Sequence, residues 1–302
     1  MENDASSLSR VERPLSERVI EALLRLAAMV SVATTAAIVL TLGLESAAFF
    51  SEVSPGAFLL DTEWTPLFAQ QHFGIWPLVC GTVLTSFIAM TVAVPFGLLA
   101  AIQMSEFSSP RVRFWLKPSV EVLAGVPTVV YGYVALIFVT PVLQKMMPSI
   151  GAFNALAPGL VMGLMIMPTI ASLSEDAIRA VPVSLREASL GLGVGRVSTI
   201  VRVVLPSAFS GIAASVILGV SRAVGETMIV AIAAGQQPRL TLDPTVPIAT
   251  MTAFIVQVSM GDTPHGTLEY KSIYVVGAAL FLITFGMNWV SYRLSRRYRR
   301  LA

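Results

Sequence analysis

The sequence is 302 residues long, 55% apolar and 13% charged, with a formal net charge of +2. Soluble domains carry about 25% charged residues, because their surfaces must be wetted. The composition therefore excludes an ordinary cytosolic enzyme, a disordered chain and a nucleic-acid binder. It leaves a polytopic membrane protein, provided that the apolar residues form long runs.

Six such runs are present, and each approaches the ~20 residues that a helix needs to cross about 30 Å of hydrocarbon. They are too long and too uniformly apolar for barrel strands, which alternate over about ten residues. The fold class predicted is therefore all-α, with six transmembrane helices. We place these spans at 24–45, 78–104, 121–143, 153–174, 207–234 and 271–293.

A seventh uncharged stretch, 244–261, is short and begins with Pro244 and Pro247. We predict a short outer-face or re-entrant element here, because a seventh span would move the arginine-rich C-terminus outside. With six spans, four Lys or Arg precede the first span or lie at its start, three separate spans two and three, four separate spans four and five, and five end the chain, out of 20 in all. The positive-inside rule then predicts a plasma membrane (bacterial inner membrane) protein with both termini in the cytoplasm.

The N-terminal residues 1–18 mix acids and bases and lack an apolar core, so we expect no signal peptide. Residues 15–26 place their apolar side chains on one stripe, which predicts an interfacial helix leading into the first span. The predicted organisation is a cytoplasmic interfacial segment 1–23, a transmembrane domain 24–293 containing a long inner loop 175–206, and a basic cytoplasmic tail 294–302.

Motifs for catalysis are missing from the sequence. Cys80 is the sole cysteine, and we interpret His72 and His265 as surface or packing residues. The sequence contains no GxxxxGK[ST], HExxH or GxSxG motif. We therefore expect no catalytic residue, metal site or cofactor in this chain, and any ATP that drives it to be hydrolysed by another chain.

The inner loop 175–206 predicts a short helix lying across the cytoplasmic face. Ser184 and Glu187 have the spacing of a capping box, in which each side chain bonds the other's amide. Gly191 and Gly193 are expected to end this helix after about two turns. Residues 193–195 then separate it from 196–205, and Pro206 is expected at the entry of span five. Local physics alone allows a well-capped loop helix with no further role.

A longer pattern in the same loop carries a resemblance. Glu187-Ala188-Ser189, then Gly193, then Val203-Val204-Leu205-Pro206 resemble the EAA signature of ABC importer permeases, with Ser189 in place of alanine and Val203 in place of isoleucine. The resemblance implies a type I ABC importer permease whose short helix docks into a groove on a separate ATPase subunit. The residues that it implies for coupling are Ser184, Glu187, Ala188, Gly193, Leu205 and Pro206.

Span five contains charged residues deep within an apolar run. Arg222 and Glu226 are four apart, so we predict that they share a helix face within reach of each other. They form either a self-neutralised structural pair or part of a path, since an arginine fork in a low-dielectric path suits an oxyanion. We predict Arg222, Glu226 and Thr227 as substrate-path residues.

Three further stretches resemble the phosphate-specific permeases of the Pst importers, and their PstC member more than the sister PstA. They are LAGVPTVVYG at 123–132, RAVGETM at 222–228 and FGIWP at 73–77. The resemblance covers nearly all of residues 15–300. It implies import of inorganic phosphate by alternating access. The partners that it implies are an extracytoplasmic phosphate-binding protein, a PstA-type sister permease and two ATPase subunits that hold ATP and Mg.

Two alternatives to phosphate import remain from the residues. An ABC permease for another oxyanion, such as sulfate or molybdate, would suit the same path charge. An ion-coupled carrier would usually show more intramembrane carboxylates than Glu226 alone, and an intramembrane enzyme would need a nucleophile–base set although neither histidine lies in a span.

Overall fold

The structure, a computed structural model, describes residues 15–298. Within this range it consists of helices and loops, with isolated β-bridges at Trp64–Phe73 and Gly235–Ile248 and no strand. The helices are α1 (Leu15–Phe50), α2 (Pro55–Leu60), α3 (Trp76–Ile102), α4 (Pro110–Ala124), α5 (Thr128–Tyr133), α6 (Thr140–Met146), α7 (Leu156–Arg179), α8 (Val183–Gly191), α9 (Arg196–Thr199), α10 (Leu205–Val224), α11 (Met228–Ala233), α12 (Met251–Ser259) and α13 (Leu268–Tyr298).

Three π-helical turns join neighbouring helices into longer spans: Gln103–Phe107, Val134–Val139 and Ile200–Val204. The described residues then contain six helices that are long and apolar enough to cross a membrane, which confirms the predicted fold class. These spans are Val19–Phe50, Trp76–Phe107, Thr128–Met146, Leu156–Arg179, Arg196–Val224 and Leu268–Val290. Helix α12 is not among them, because nine residues extend only about 14 Å.

Span four, formed by α7, lies at the centre of the bundle and packs against α3 and α10. Its small residues permit this contact: a Cβ on Gly163 would lie 2.8 Å from the Ala89 carbonyl oxygen, and one on Gly159 would lie 2.7 Å from Ile88. Span one packs along α13 at the edge of the bundle, and its apolar side chains are largely exposed. The core of the bundle therefore lies in the middle spans.

The predicted boundaries of span three are wrong. We predicted 121–143, whereas α4 ends at Ala124 and a new helix begins at Thr128 and continues to Met146. Pro127 explains the break, because it lacks an amide hydrogen and disfavours the helical conformation of the residue before it. Because this stretch is mainly apolar, its hydropathy alone does not reveal the interruption.

Span five also differs from its predicted boundaries, 207–234. It begins at Arg196 and ends at Val224, and residues 225–227 separate it from α11. Pro206 therefore lies inside the span, not at its entry. In the π turn immediately before Pro206, the Leu205 amide bonds the Ile200 carbonyl. Pro206 has no amide hydrogen, so no donor is left without a partner where the α-helix resumes.

The N-terminal segment forms no separate interfacial helix in the described part. Helix α1 runs without a break from Leu15 to Phe50, so residues 15–23 continue the first span. Residues 1–14 and 299–302 lie outside the described residues, and with them most of the predicted segment 1–23 and the end of the predicted tail.

The loop between spans one and two contains a small hairpin, residues 61–75. The Thr65 amide bonds the His72 carbonyl at 2.8 Å, and Trp64 packs edge-on against Phe254 with ring centroids 5.0 Å apart. At its base, His72 Nδ1 lies 2.8 Å from Asp61 Oδ2. This pair ties the two sides of the hairpin together.

The hairpin should be more stable, and better protected from hydrogen exchange, at pH 5.5 than at pH 8.5. The hydrogen bond with Asp61 raises the pKa of His72 above 6.5. Partial burial opposes ionisation of Asp61, but bonds from the Glu63 amide and from His72 lower its pKa below 3.8. Stability from His72 is present below its unfolded pKa and is lost as pH rises through the folded one, whereas stability from Asp61 is lost only in strong acid. Hydrogen exchange of residues 61–75, corrected for intrinsic rates, should show this difference.

Asp61→Asn is the control for the hairpin, since the amide keeps the size of the side chain but loses its charge. The pH difference should shrink in this variant. An unchanged difference would contradict a role for the pair.

Candidate functional site

Two broken spans lie next to each other in the bundle. Helix α5, which follows the break in span three, packs against α11, which follows the break in span five. The contact is close: a Cβ on Gly132 would lie 2.9 Å from Ile232 Cδ1. The breaks at 125–127 and 225–227 immediately precede these two contacting helices. Irregular backbone at membrane depth is tolerated where it is buried in protein or lines a cavity.

Arg222 lies on the last turn of α10, just before the break in span five, and is half-buried. Its Nη1 donates to Thr169 Oγ1 on α7 at 2.9 Å. Tyr131, from α5, lies within electrostatic reach of the guanidinium. A cation in this position is favoured by the C-terminal end of the helix dipole.

Glu226 does not pair with Arg222, so the predicted contact between them is wrong. Helix α10 ends at Val224, and the four-residue spacing therefore does not bring the two side chains together. Instead, the buried Glu226 carboxylate accepts hydrogen bonds from the amides of Met228 at 3.1 Å and Ile229 at 3.4 Å. It caps the start of α11, where amides have no helical partner and negative charge is favoured.

Two neighbouring hydroxyl groups also stabilise the broken regions. Thr227 Oγ1 donates to the Gly225 carbonyl at 3.3 Å, within the break. The Tyr131 hydroxyl donates to the Leu123 carbonyl at 2.7 Å, which satisfies an acceptor at the end of α4. Sequence reasoning did not select Tyr131 as a site residue, because the break that it bridges was not predicted.

Helix α8 is the predicted short helix between spans four and five. Its start differs from the prediction: Pro182 is the N-cap and makes no side-chain bond, and Ser184 lies within the first turn. The capping box is therefore wrong. Pro182 has φ −55° and ψ 136°, and because proline cannot extend a helix toward the N-terminus, the helix begins one residue before the serine.

The end of α8 confirms the predicted role of Gly193. Its φ is +79°, and its amide bonds the Leu190 carbonyl at 2.9 Å while the Val194 amide bonds the Ser189 carbonyl at 3.3 Å. These two bonds form a Schellman motif, which requires a left-handed residue at this position. The helix thus ends at a fixed place and angle.

One face of helix α8 packs against the protein, and the opposite face is exposed. Ser189 is buried and lies 2.9 Å from the Thr199 hydroxyl of α9. Leu185, Leu190 and Leu192 are exposed, the last by 85% of its area, and Glu187 and Ala188 are exposed with them. An exposed apolar patch on a rigid helix indicates a protein contact surface. Of the other predicted coupling residues, Leu205 packs beside Ile178 and Val204, and Pro206 is exposed.

Glu106, near the C-terminal end of span two, joins this loop to the bundle. Arg186 Nη2 of α8 lies 3.0 Å from Glu106 Oε1, and the same nitrogen donates to the Ile178 carbonyl at 2.8 Å. Arg196 donates to the Glu106 carbonyl oxygen and stacks over Phe107. Sequence reasoning missed these contacts, since 80 residues separate Glu106 from Arg186 and no local pattern connects them.

Six spans, two short helices that pack against each other and each follow a break, and an exposed helix on the loop between spans four and five define a helical membrane permease. The chain matches the family described as "Binding-protein-dependent transport system inner membrane component" over residues 93–300. It belongs to this family.

The chain also resembles individual relatives over most of its length. It is 33% identical over 279 residues to the probable ABC transporter permease protein YqgH of Bacillus subtilis, covering 92% of this chain and 90% of the relative. It is 34% identical over 254 residues to the phosphate transport system permease protein PstC 1 of Mycobacterium tuberculosis, covering 76% and 75%.

Solved structures confirm the type I permease fold. One is a bacterial ABC transporter involved in the import of the acidic polysaccharide alginate, with 15% identity, a TM-score of 0.59, and coverage of 94% of this chain and 99% of that one. Another is the MetNI methionine ABC transporter in inward-facing conformations, with 16% identity, a TM-score of 0.55, and coverage of 74% and 94%. The protein is therefore a multi-pass inner-membrane permease of the ABC importer class, in which ATPase activity lies on a separate subunit.

Proposed function

We propose that this chain is the permease subunit that carries inorganic phosphate through an ATP-driven importer by alternating access. The observation that supports phosphate is Arg222, a half-buried guanidinium beside the break in span five, whose predicted partner, Glu226, is used as a helix cap. A guanidinium fork in a low-dielectric site is suited to a tetrahedral oxyanion. Thr227 and Glu226 shape the break beside it, and the similarity to phosphate transport permeases supports the same substrate.

The proposed partners follow from the two faces of the protein. A PstA-type sister permease completes the membrane pathway, and an extracytoplasmic phosphate-binding protein delivers the substrate to the outer side. Two ATPase subunits, which hold ATP and Mg, receive the exposed face of α8. The coupling residues proposed are Ser184, Glu187, Ala188, Gly193, Leu205 and Pro206.

Uptake by the reconstituted complex tests this proposal. Labelled phosphate should enter vesicles only when ATP and the binding protein are both present. Sulfate and molybdate, added in tenfold excess, should not compete. Uptake of one of these anions in place of phosphate would keep the importer class but overturn the substrate, and uptake without ATP would favour an ion-coupled carrier.

The proposed orientation places both termini in the cytoplasm, and cysteine labelling tests it. Gly56 and Gly195 are both exposed and lie on opposite sides of the bundle in this orientation. In a Cys80→Ser background, Gly56→Cys should react with an impermeant thiol reagent from outside and Gly195→Cys only from inside. Serine is chosen because Cys80 donates to the Thr241 carbonyl and a hydroxyl can do the same. Reaction of both cysteines from one side would contradict the span count.

A further inference from the structure

A cavity of about 530 Å³ lies under α8, between the inner ends of spans two and four and the start of α4. Its polar lining comes from Ser105, Glu106, Ser108, Arg113, Arg179 and Arg186. It is separate from the proposed path: Arg222 bonds Thr169, which lies ten residues before Arg179 on α7, a rise of about 15 Å.

Cations outnumber carboxylates around this cavity. Glu175 is fully buried and is bound by Arg113 Nη2 at 2.7 Å and Lys117 Nζ at 2.8 Å. Lys117 also binds Asp176, and Arg186 binds Glu106. These contacts pair all three of these carboxylates, of which Glu106 lines the cavity. An excess of positive charge therefore remains, because five cations surround these carboxylates: Arg113, Lys117, Arg179, Arg186 and Arg196.

Two polar groups in the cavity wall can still form hydrogen bonds with a ligand. Arg179 lies 3.8 Å from Glu175, beyond hydrogen-bond distance, and 48% of its side chain is exposed. Ser108 Oγ is buried and has no hydrogen-bond partner among the described residues. A buried hydroxyl without a partner is costly, so an acceptor placed here would relieve that cost.

We propose that this cavity binds a phosphate group, with Arg179 as the main charged contact and the Ser108 hydroxyl as a donor. Arginine and hydroxyl donors match the oxygens of a phosphate. The phosphate of an anionic phospholipid fits the surroundings, because Phe114 and Trp115 on α4 are exposed by 70% and 73% beside the cavity and basic pockets at the cytoplasmic ends of spans bind such headgroups. Free inorganic phosphate has the same chemistry and is distinguished by the test.

The test uses the full-length permease purified within its complex, and it compares Arg179→Gln and Ser108→Ala with the matched control Arg202→Gln. Arg202 is an exposed arginine on the same side of the bundle but away from the cavity. Native mass spectrometry measures retention of phosphatidylglycerol relative to phosphatidylcholine after delipidation. Thermal unfolding measures stabilisation by inorganic phosphate, with Arg222→Gln as a second background.

Loss of Arg179 should reduce the retention of phosphatidylglycerol at least about fivefold, since one basic residue near an anionic lipid contributes about 1 kcal/mol. Ser108→Ala should reduce it less, and Arg202→Gln should leave it unchanged. If free phosphate is the ligand, the rise in Tm on phosphate addition persists in the Arg222→Gln background and is abolished there by Arg179→Gln but not by Arg202→Gln. Equal behaviour of Arg179→Gln and Arg202→Gln with both probes would overturn the proposal. The result does not depend on which anion is transported.

Discussion

Replacing Gly193 by valine should separate ATP hydrolysis from transport in the assembled importer. Gly193 has φ +79°, and a β-branched residue in this left-handed region costs about 1–2 kcal/mol. A Cβ here would meet nothing within 4 Å, so the effect comes from the backbone and not from a clash. The Schellman bonds at the end of α8 would be lost, and the helix would no longer present a fixed surface to the ATPase.

We expect phosphate uptake to fall about tenfold or more while the ATPase subunits still hydrolyse ATP, because 1.4 kcal/mol corresponds to a factor of ten. Glu187→Lys should have a similar effect, since it reverses a charge on the exposed face without touching the cap. The measurement is uptake per ATP hydrolysed, normalised to assembled complex.

Gly193→Asn and Gly191→Ala are the matched controls. Asparagine tolerates the left-handed conformation, so Gly193→Asn should keep most of the coupling. Gly191 has no neighbouring atom within 4 Å of an added Cβ and lies inside the helix, so Gly191→Ala should be silent. Normal uptake per ATP in Gly193→Val and Glu187→Lys would show that α8 does not transmit the ATPase motion.

The number and order of the spans could be predicted because hydropathy over ~20 residues is a strong signal. The interruptions could not, since residues 125–127 and 225–227 lie inside runs that remain apolar on both sides. Pro127 marked the first break, and proline is tolerated in membrane helices often enough that it does not predict one. Both errors moved span boundaries without changing the number or order of the spans.

Two predictions from local motifs were wrong because the backbone conformation nearby was determined by something outside the motif. The Ser184–Glu187 spacing indicates a capping box, but Pro182 fixed the helix start one residue too early for it. The spacing of Arg222 and Glu226 indicates a pair only while the helix continues, and α10 ends between them. The contacts of Arg186 with Glu106 have no sequence signal at all, because they depend on the packing of distant spans.

Replacing Arg222 by glutamine should abolish most phosphate uptake without preventing assembly. The guanidinium is half-buried, and its hydrogen bond to Thr169 orients it just before the break in span five. Charge-assisted bonds contribute about 1.5–3 kcal/mol, so uptake should fall about tenfold to a hundredfold. Arg222→Lys should be impaired as well, because an ammonium group keeps the charge but loses the planar fork.

The variant Glu226→Gln separates the role of Glu226 as the cap of α11 from the proposed role of Arg222 in the substrate path. A glutamine carbonyl can still accept from the Met228 and Ile229 amides, so the cap on α11 should be weakened but not removed. The double variant Arg222→Gln/Glu226→Gln should therefore assemble but not transport, because Glu226 is not the partner whose removal would restore neutrality. Arg202→Gln makes the same change in charge at an exposed position near the start of the same span, and should transport normally.

Uptake of labelled phosphate, normalised to assembled complex, distinguishes a path residue from a structural one. If Arg222 only holds α10 to α7, Thr169→Val should reduce uptake as severely as Arg222→Gln, since both remove the same hydrogen bond. If Arg222 contacts phosphate, Thr169→Val should have the smaller effect and should raise KM more than it lowers the maximal rate. Near wild-type uptake in the assembled double variant would show that Arg222 is dispensable. The phosphate assignment would then rest on similarity to relatives alone.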